Sequence, residues 1–144
     1  MEKKDVIIVG GGLAGLTAAI ALSGLGHSIL LFEINAYPHH KVCGEYVSNE
    51  VRPYLEHLGV DLIAAGGVPI TDFEISTPDG NKIATTLSLG GTGISRFLFD
   101  ELLYNKAKSQ GVEFIFAKVG NIQFAANAFN VNSEGNTYQA TIVI

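Results

Sequence analysis

From Val6 to Gly26 the chain carries no charged side chain, and the spacing of its apolar positions changes within that run. Val6–Val9 is an unbroken β-rich run, Gly10–Gly12 interrupt it, and Leu13–Leu25 is dense in Leu, Ala and Ile as a buried helix is. Gly26 and His27 end that stretch, and Ser28–Phe32 is a second β-rich run that closes on Glu33. The pattern predicts a βαβ unit. About 20 apolar residues would also cross a bilayer, and the start MEKK suits a signal peptide. Against both, Gly10, Gly11, Gly12, Gly15, Gly24 and Gly26 break the run where dense Leu and Ile would be needed. Within the helix, Ala14, Ala18 and Ala21 are expected to keep the flank beside the sheet thin, with Leu16, Ile20 and Leu25 as apolar bulk.

Further along, residues 36–49 read as loop, broken by Pro38 and Gly44. A short helix is predicted next, with Ser48 or Asn49 near its cap, Pro53 early, Tyr54, Leu55 and Leu58 facing inward, and Gly59 as the stop. Phe73 and Ile75 alternate with polar neighbours, residues 78–81 turn the chain, and Ile83 and Leu87 resume the alternation, which predicts a β-hairpin with one buried face. Gly90–Gly93 lead into a second helix, with Ser95 as N-cap, Phe99, Leu103 and Ala107 in one i, i+4 row, and Gly111 as the stop. β-rich runs follow at 112–119, 121–124, 129–132 and 138–144, joined by Gly120-Asn121, Ala126-Asn127 and the turn at 133–136. The last run reads as stopping in mid-strand, as a piece of a longer protein would.

The spacing Gly10-x-Gly12-x-x-Gly15 gives the first unit a chemical reading. Gly10 permits the tight turn, Gly12 lets backbone approach a pyrophosphate, and Gly15 lets the helix lie close to the sheet. The backbone N–H groups at the helix start, at Leu13 and Ala14, then face an anion. Glu33 ends the second strand about 20 residues beyond the glycines, where a carboxylate accepts ribose hydroxyls. A dinucleotide is the implied ligand.

Composition narrows the class. The 144 residues are 47% hydrophobic and 16% charged, enough for a compact domain with a core. Nine basic against fourteen acidic residues give a net charge of −5, which argues against a nucleic-acid surface and leaves no polybasic lipid-binding run. The single cysteine, Cys43, rules out an internal disulfide framework and fits a cytosolic, reducing compartment.

Four stretches together resemble the N-terminal part of FAD-dependent oxidoreductases of the glutathione-reductase-like superfamily, in the branch of geranylgeranyl reductases, aromatic-ring hydroxylases and flavin-dependent halogenases. They are the dinucleotide fold at 5–33, the segment PHHKVCGEYVSNEVRPYLEHLGV with its Lys-x-Cys-Gly-Glu, the helix start ISRFLFDELLYNKAKSQGVEF, and the antiparallel meander running into TIVI. The resemblance implies an α/β, Rossmann-like FAD-binding fold with a parallel sheet, a β-meander, and a hairpin at about 68–90 belonging to a substrate-side sheet, the whole 1–144 being an incomplete FAD/NAD(P)-binding domain.

The resemblance also distributes roles. Gly10, Gly12, Leu13, Ala14 and Gly15 are implied to meet the FAD pyrophosphate and Glu33 the adenosine ribose. Arg96 is implied at the phosphate and ribityl region, Val119 at the adenine, and Lys41, Cys43, Gly44 and Glu45 on a loop near the isoalloxazine. Three of these have a plainer reading. Arg96 is otherwise a solvated residue, although a cation at a helix start opposes the dipole and calls for an anion. Cys43 is otherwise a buried small hydrophobe, and Glu45 a loop-holding carboxylate. His39, His40 and Cys43 lack a fourth ligand for a metal. Tyr37, Tyr46 and Tyr54 read as packing residues, and Phe114, Phe116, Phe124 and Phe129 as core of the meander.

The activity so implied is an FAD-dependent oxidoreductase with NADPH or NADH as donor, acting on a small or lipid-like organic substrate. The Lys41–Glu45 segment favours the reductase branch over oxygenation. Competing readings are an NAD(H)-dependent dehydrogenase domain and a non-catalytic dinucleotide-binding module. No transmembrane segment is expected, while peripheral membrane association through a lipid substrate and the oligomeric state stay open.

Overall fold

A computed structural model describes residues 3–144; Met1 and Glu2, the first half of the basic start, lie outside the described residues. The chain forms two compact units, one of residues up to His39 with Asp100–Ile144, the other of His40–Phe99.

The first unit is a six-stranded sheet. In chain order its strands are β1 (Lys4–Val9), β2 (Ile29–Glu33), β6 (Glu113–Phe116), β7 (Val119–Ala125), β8 (Ala128–Ser133) and β9 (Asn136–Val143), in the spatial order β6-β2-β1-β9-β8-β7. β6, β2, β1 and β9 run parallel, and β7, β8 and β9 form an antiparallel meander. Helix α1 (Leu13–Gly24) makes the crossover from β1 to β2, so the predicted βαβ unit stands. Parallel strands with both faces covered explain the unbroken apolar runs. Ile7, Leu30 and Phe32 pack with Val131 and Ala140 on one face. Pleating puts Ile8 and Leu31, paired across the strands, on the other.

At the amino-terminal ends of the strands, Asp5 and Ser28 clasp β1 to β2. The Ser28 N–H and hydroxyl both donate to the Asp5 carboxylate, each at 2.8 Å, while the Asp5 N–H donates to the Ser28 hydroxyl at 2.9 Å. These bonds, the backbone one foremost, hold the Asp5 carboxyl below its usual range.

The sequence reading needs correction in several places. Leu16, Ala19 and Ile20 form the buried stripe of α1, whereas Ala14 is exposed and Leu25 is 75% exposed past the helix end. The strand predicted over 112–119 stops at Phe116, and the chain turns at Ala117-Lys118. Gly120-Asn121 is instead a register shift inside β7. Ala126-Asn127 and Glu134-Gly135 do turn the meander, all four residues at positive φ. Phe114 and Phe116 belong to the parallel part of the sheet and pack around Tyr37 and Tyr104, while Phe124 and Phe129 pair on the β7–β8 hairpin with Phe124 exposed.

The second unit holds a three-stranded antiparallel sheet, β3 (Tyr46–Ser48), β4 (Val68–Ser76) and β5 (Lys82–Gly93), in the order β3-β5-β4. Two parts of the expected connections are therefore strand: Tyr46–Ser48 within the predicted loop, and Gly90–Gly93 before the second helix. A 3₁₀ turn (Asn49–Val51) capped by the Ser48 hydroxyl leads into α2 (Arg52–His57). Leu55 and Leu58 are buried as predicted, but Tyr54 is exposed. The β4–β5 hairpin forms, yet Phe73, Ile75 and Ile83 are exposed, so the predicted apolar face is not buried in its turn half, whereas Gly90–Thr92 at the other end of β5 are. Helix α3 (Arg96–Ser109) starts at Ser95, whose hydroxyl accepts from the Leu98 N–H, and buries Phe99, Leu103 and Ala107. Among the described residues, no helix is long and apolar enough to cross a membrane.

Candidate functional site

The chemistry-bearing residues of the first unit gather at the carboxyl ends of β1 and β2. Gly10 leaves β1 at φ +112°, a conformation that L side chains rarely adopt, while its N–H donates to the Phe32 carbonyl at 2.8 Å. Gly12 is the N-cap of α1, with no side-chain cap and no acidic residue in the first turn. Leu16 is the first residue to bond back into the helix, to the Gly12 carbonyl, so the N–H groups of Leu13, Ala14 and Gly15 have no intrahelical partner. A Cβ built on Gly10 or Gly12 meets nothing within 4 Å, so the loop faces open space. Gly15 is the opposite case. A Cβ there would collide with the Gly10 carbonyl oxygen and lie 3.2 Å from Ile8 Cγ2.

Glu33 closes β2 and turns back onto the loop. One carboxylate oxygen accepts from the Gly11 N–H at 2.8 Å, and the other from the N–H groups of Ile34 and Asn35 at 2.8 and 3.2 Å. Beside Glu33, a cavity of about 240 Å³ is lined by Val9, Gly10, Ile34, Lys118 and Val119, among others. A larger cavity, about 440 Å³, lies by Lys4, Leu30, Glu113 and Gln139, at the amino-terminal ends of β1 and β6. Ligands of open parallel sheets sit at the carboxyl ends, which favours the smaller one.

The structure thus brings together Gly10, Gly12, Leu13, Ala14, Gly15, Glu33 and Val119. Lys41, Cys43, Gly44 and Arg96 belong to the second unit. Cys43 is exposed, which overturns its reading as a buried hydrophobe, and its Sγ accepts from the Glu45 N–H at 3.4 Å. Glu45 holds φ +56° and its carbonyl accepts from the Ile94 N–H, so its backbone ties the loop to the strand end. Arg96 is half-buried at the first position of α3. Among the described residues, no group of His, Cys, Asp and Glu side chains could hold a metal ion. Sequence reasoning missed Ile34 and Lys118, whose nearness to Glu33 and Val119 in the chain was the available signal. It also took Tyr37 for packing alone, whereas its hydroxyl donates to the Gly11 carbonyl.

Helix-start N–H groups without intrahelical partners, open space at Gly10 and Gly12, a fixed carboxylate and an adjoining cavity fit a dinucleotide such as FAD. Comparison with known proteins agrees. The family model for pyridine nucleotide-disulphide oxidoreductases matches residues 5–68. An FAD-dependent monooxygenase of a Nectria species is 32% identical over 88 residues, 61% of this chain and 21% of that protein. A flavin-dependent halogenase of Armillaria mellea is 32% identical over 150 residues, 94% of this chain and 27% of the halogenase. The chain belongs to the FAD-binding oxidoreductase superfamily. The superfamily fold is matched by the solved structure of the flavin-dependent brominase Bmp2, with a TM-score of 0.80 at 21% identity over 99% of this chain and 37% of the brominase. The chain spans at most 27% of the length of these two curated superfamily relatives.

Proposed function

We propose that this chain is the FAD-holding part of an FAD-dependent oxidoreductase of the monooxygenase and halogenase kind. The observation that carries the reading is the open space at Gly10 and Gly12, with the N–H groups of Leu13, Ala14 and Gly15 outside the helical hydrogen-bond ladder beside the anchored Glu33 carboxylate. In this reading those N–H groups and the helix dipole hold the pyrophosphate. Glu33 accepts the adenosine ribose hydroxyls, and Val119 borders the adenine in the adjoining cavity. The family resemblance alone assigns Arg96, whose guanidinium suits a phosphate, and Lys41, Cys43 and Gly44 to the same cofactor.

Held there, FAD would supply two-electron redox chemistry, with NADPH or NADH as the proposed donor and molecular oxygen as the proposed acceptor, for oxygenation or halogenation of a small organic substrate. The protein's own part is to bind, orient and screen. The β3-β5-β4 sheet is proposed as the start of the substrate-side sheet. A second proposed activity, reduction of a carbon–carbon double bond, rests only on the resemblance of the Lys41–Glu45 segment to geranylgeranyl reductases.

The deciding experiment is the visible spectrum of the protein purified without added cofactor, with the released ligand identified by mass. Flavin absorption bands and the mass of FAD are expected. A colourless protein that takes up no added FAD would overturn the reading and point to NAD(H) or to a non-catalytic nucleotide module.

A further inference from the structure

We infer that Tyr37 is a positioning residue of the nucleotide site, its hydroxyl aiming the Gly12 N–H at the pyrophosphate by holding the Gly11 carbonyl. The inference rests on the dinucleotide reading and deepens it. The hydroxyl donates to the Gly11 carbonyl oxygen at 2.5 Å. A trans peptide is planar, with its C=O and N–H pointing in opposite directions. Tethering the Gly11 oxygen on the Tyr37 side therefore turns the Gly12 N–H away from Tyr37. Glu33 holds the preceding peptide through the Gly11 N–H, so consecutive peptides of the loop are each held by a side chain from beyond β2 or at its end.

Glycine makes that tether matter. Three consecutive glycines have few steric barriers to a peptide flip, and a flipped Gly11–Gly12 peptide would present a carbonyl oxygen to the anion instead of an N–H. Gly11 is buried, so a flip would also strand its carbonyl away from Tyr37. The tyrosine is itself held in place. Its ring stacks on Tyr104 at 4.7 Å and meets Phe114 and Phe116 edge-on. It also occupies the space over Gly11, where an added Cβ would run into the Tyr37 hydroxyl.

Tyr37→Phe keeps the ring and removes only the hydroxyl. Binding of FAD, ADP and adenosine to the purified protein and to this variant separates aiming from folding. Affinity for FAD and ADP is expected to fall about tenfold, equivalent to about 1.4 kcal/mol, with adenosine binding little changed. Equal weakening for adenosine and ADP, or no weakening for either, would overturn the role of Tyr37 while leaving the dinucleotide site in place. Failure of the unmutated protein to bind FAD or ADP would overturn the site reading itself. A second test uses Gly11→Ala, whose cost to FAD affinity is expected to be smaller in the Tyr37→Phe background, since the clashing hydroxyl is gone. Equal cost in both backgrounds would count against the contact.

Discussion

Gly15 occupies a point where helix and loop touch. An added methyl would meet the Gly10 carbonyl oxygen, which is backbone and cannot swing aside, and Ile8 Cγ2 at 3.2 Å. Gly15→Ala should therefore cost about 1–3 kcal/mol, the range for overpacking a close contact, and weaken FAD retention as the loop shifts. Urea denaturation and FAD titration of the variant check both, and unchanged values would show that α1 has room to move. This residue was legible from spacing alone, because a close approach between consecutive elements is a local demand. So was Glu33, placed by the length of one βαβ unit. Tyr37 was not, because its bond to Gly11 spans 26 residues and only the folded loop reveals it. Leu25 and Tyr54 were misread for the complementary reason: an apolar side chain is buried only where a neighbour covers it, and both are exposed, as is Cys43, whose alternative reading as a buried hydrophobe fails in the same way.

At the scale of elements, the β7–β8 hairpin turns through Ala126 at φ +51° and Asn127 at φ +58°. Two-residue hairpin loops of this kind need positive φ at both positions, which Asn tolerates and Ala does not. Ala126→Gly should raise stability by up to about 1 kcal/mol, the released strain exceeding glycine's added unfolded-state entropy. Denaturant midpoints compare the two, and a lower midpoint for the variant would refute the assignment of strain. The Asp5–Ser28 clasp makes a pH prediction. The folded-state pKa of Asp5 lies below 3.8, so its contribution is present above that value and is lost as pH falls through the lower folded value. The stability gap between the protein and Asp5→Asn should narrow over that acid window, as read from urea midpoints against pH; a gap independent of pH would show that the charge plays no part. The alternation that announced the β4–β5 hairpin was correct as to strand and turn, since period and turn chemistry are local. It could not report that Phe73, Ile75 and Ile83 would be exposed within their unit. The β6–β7 boundary was missed because a glycine marks a bulge as readily as a turn.

For the whole molecule, a ligand that binds only the native state stabilises it by mass action, about 2.7 kcal/mol at a free concentration of 100 times Kd. FAD at that excess should raise the melting temperature of the protein, while NADH alone at equal concentration should raise it far less. The reverse order would favour the dehydrogenase reading. What the sequence determined by itself is the identity of the local units: the βαβ start, the Ser95 helix cap, the turns at Ala126-Asn127 and Glu134-Gly135, and the placing of Gly10, Gly12, Gly15 and Glu33 at the ends of the first two strands. These depend on periodicity, backbone freedom and short spacing. Only the tertiary structure decided that β9 pairs in parallel with β1, that β6 joins on the far side of β2, and that Val119 and Lys118 thereby border the cavity beside Glu33. Those pairings join segments about 80 or more residues apart, and they are settled by which apolar faces can bury one another rather than by any short stretch of chain.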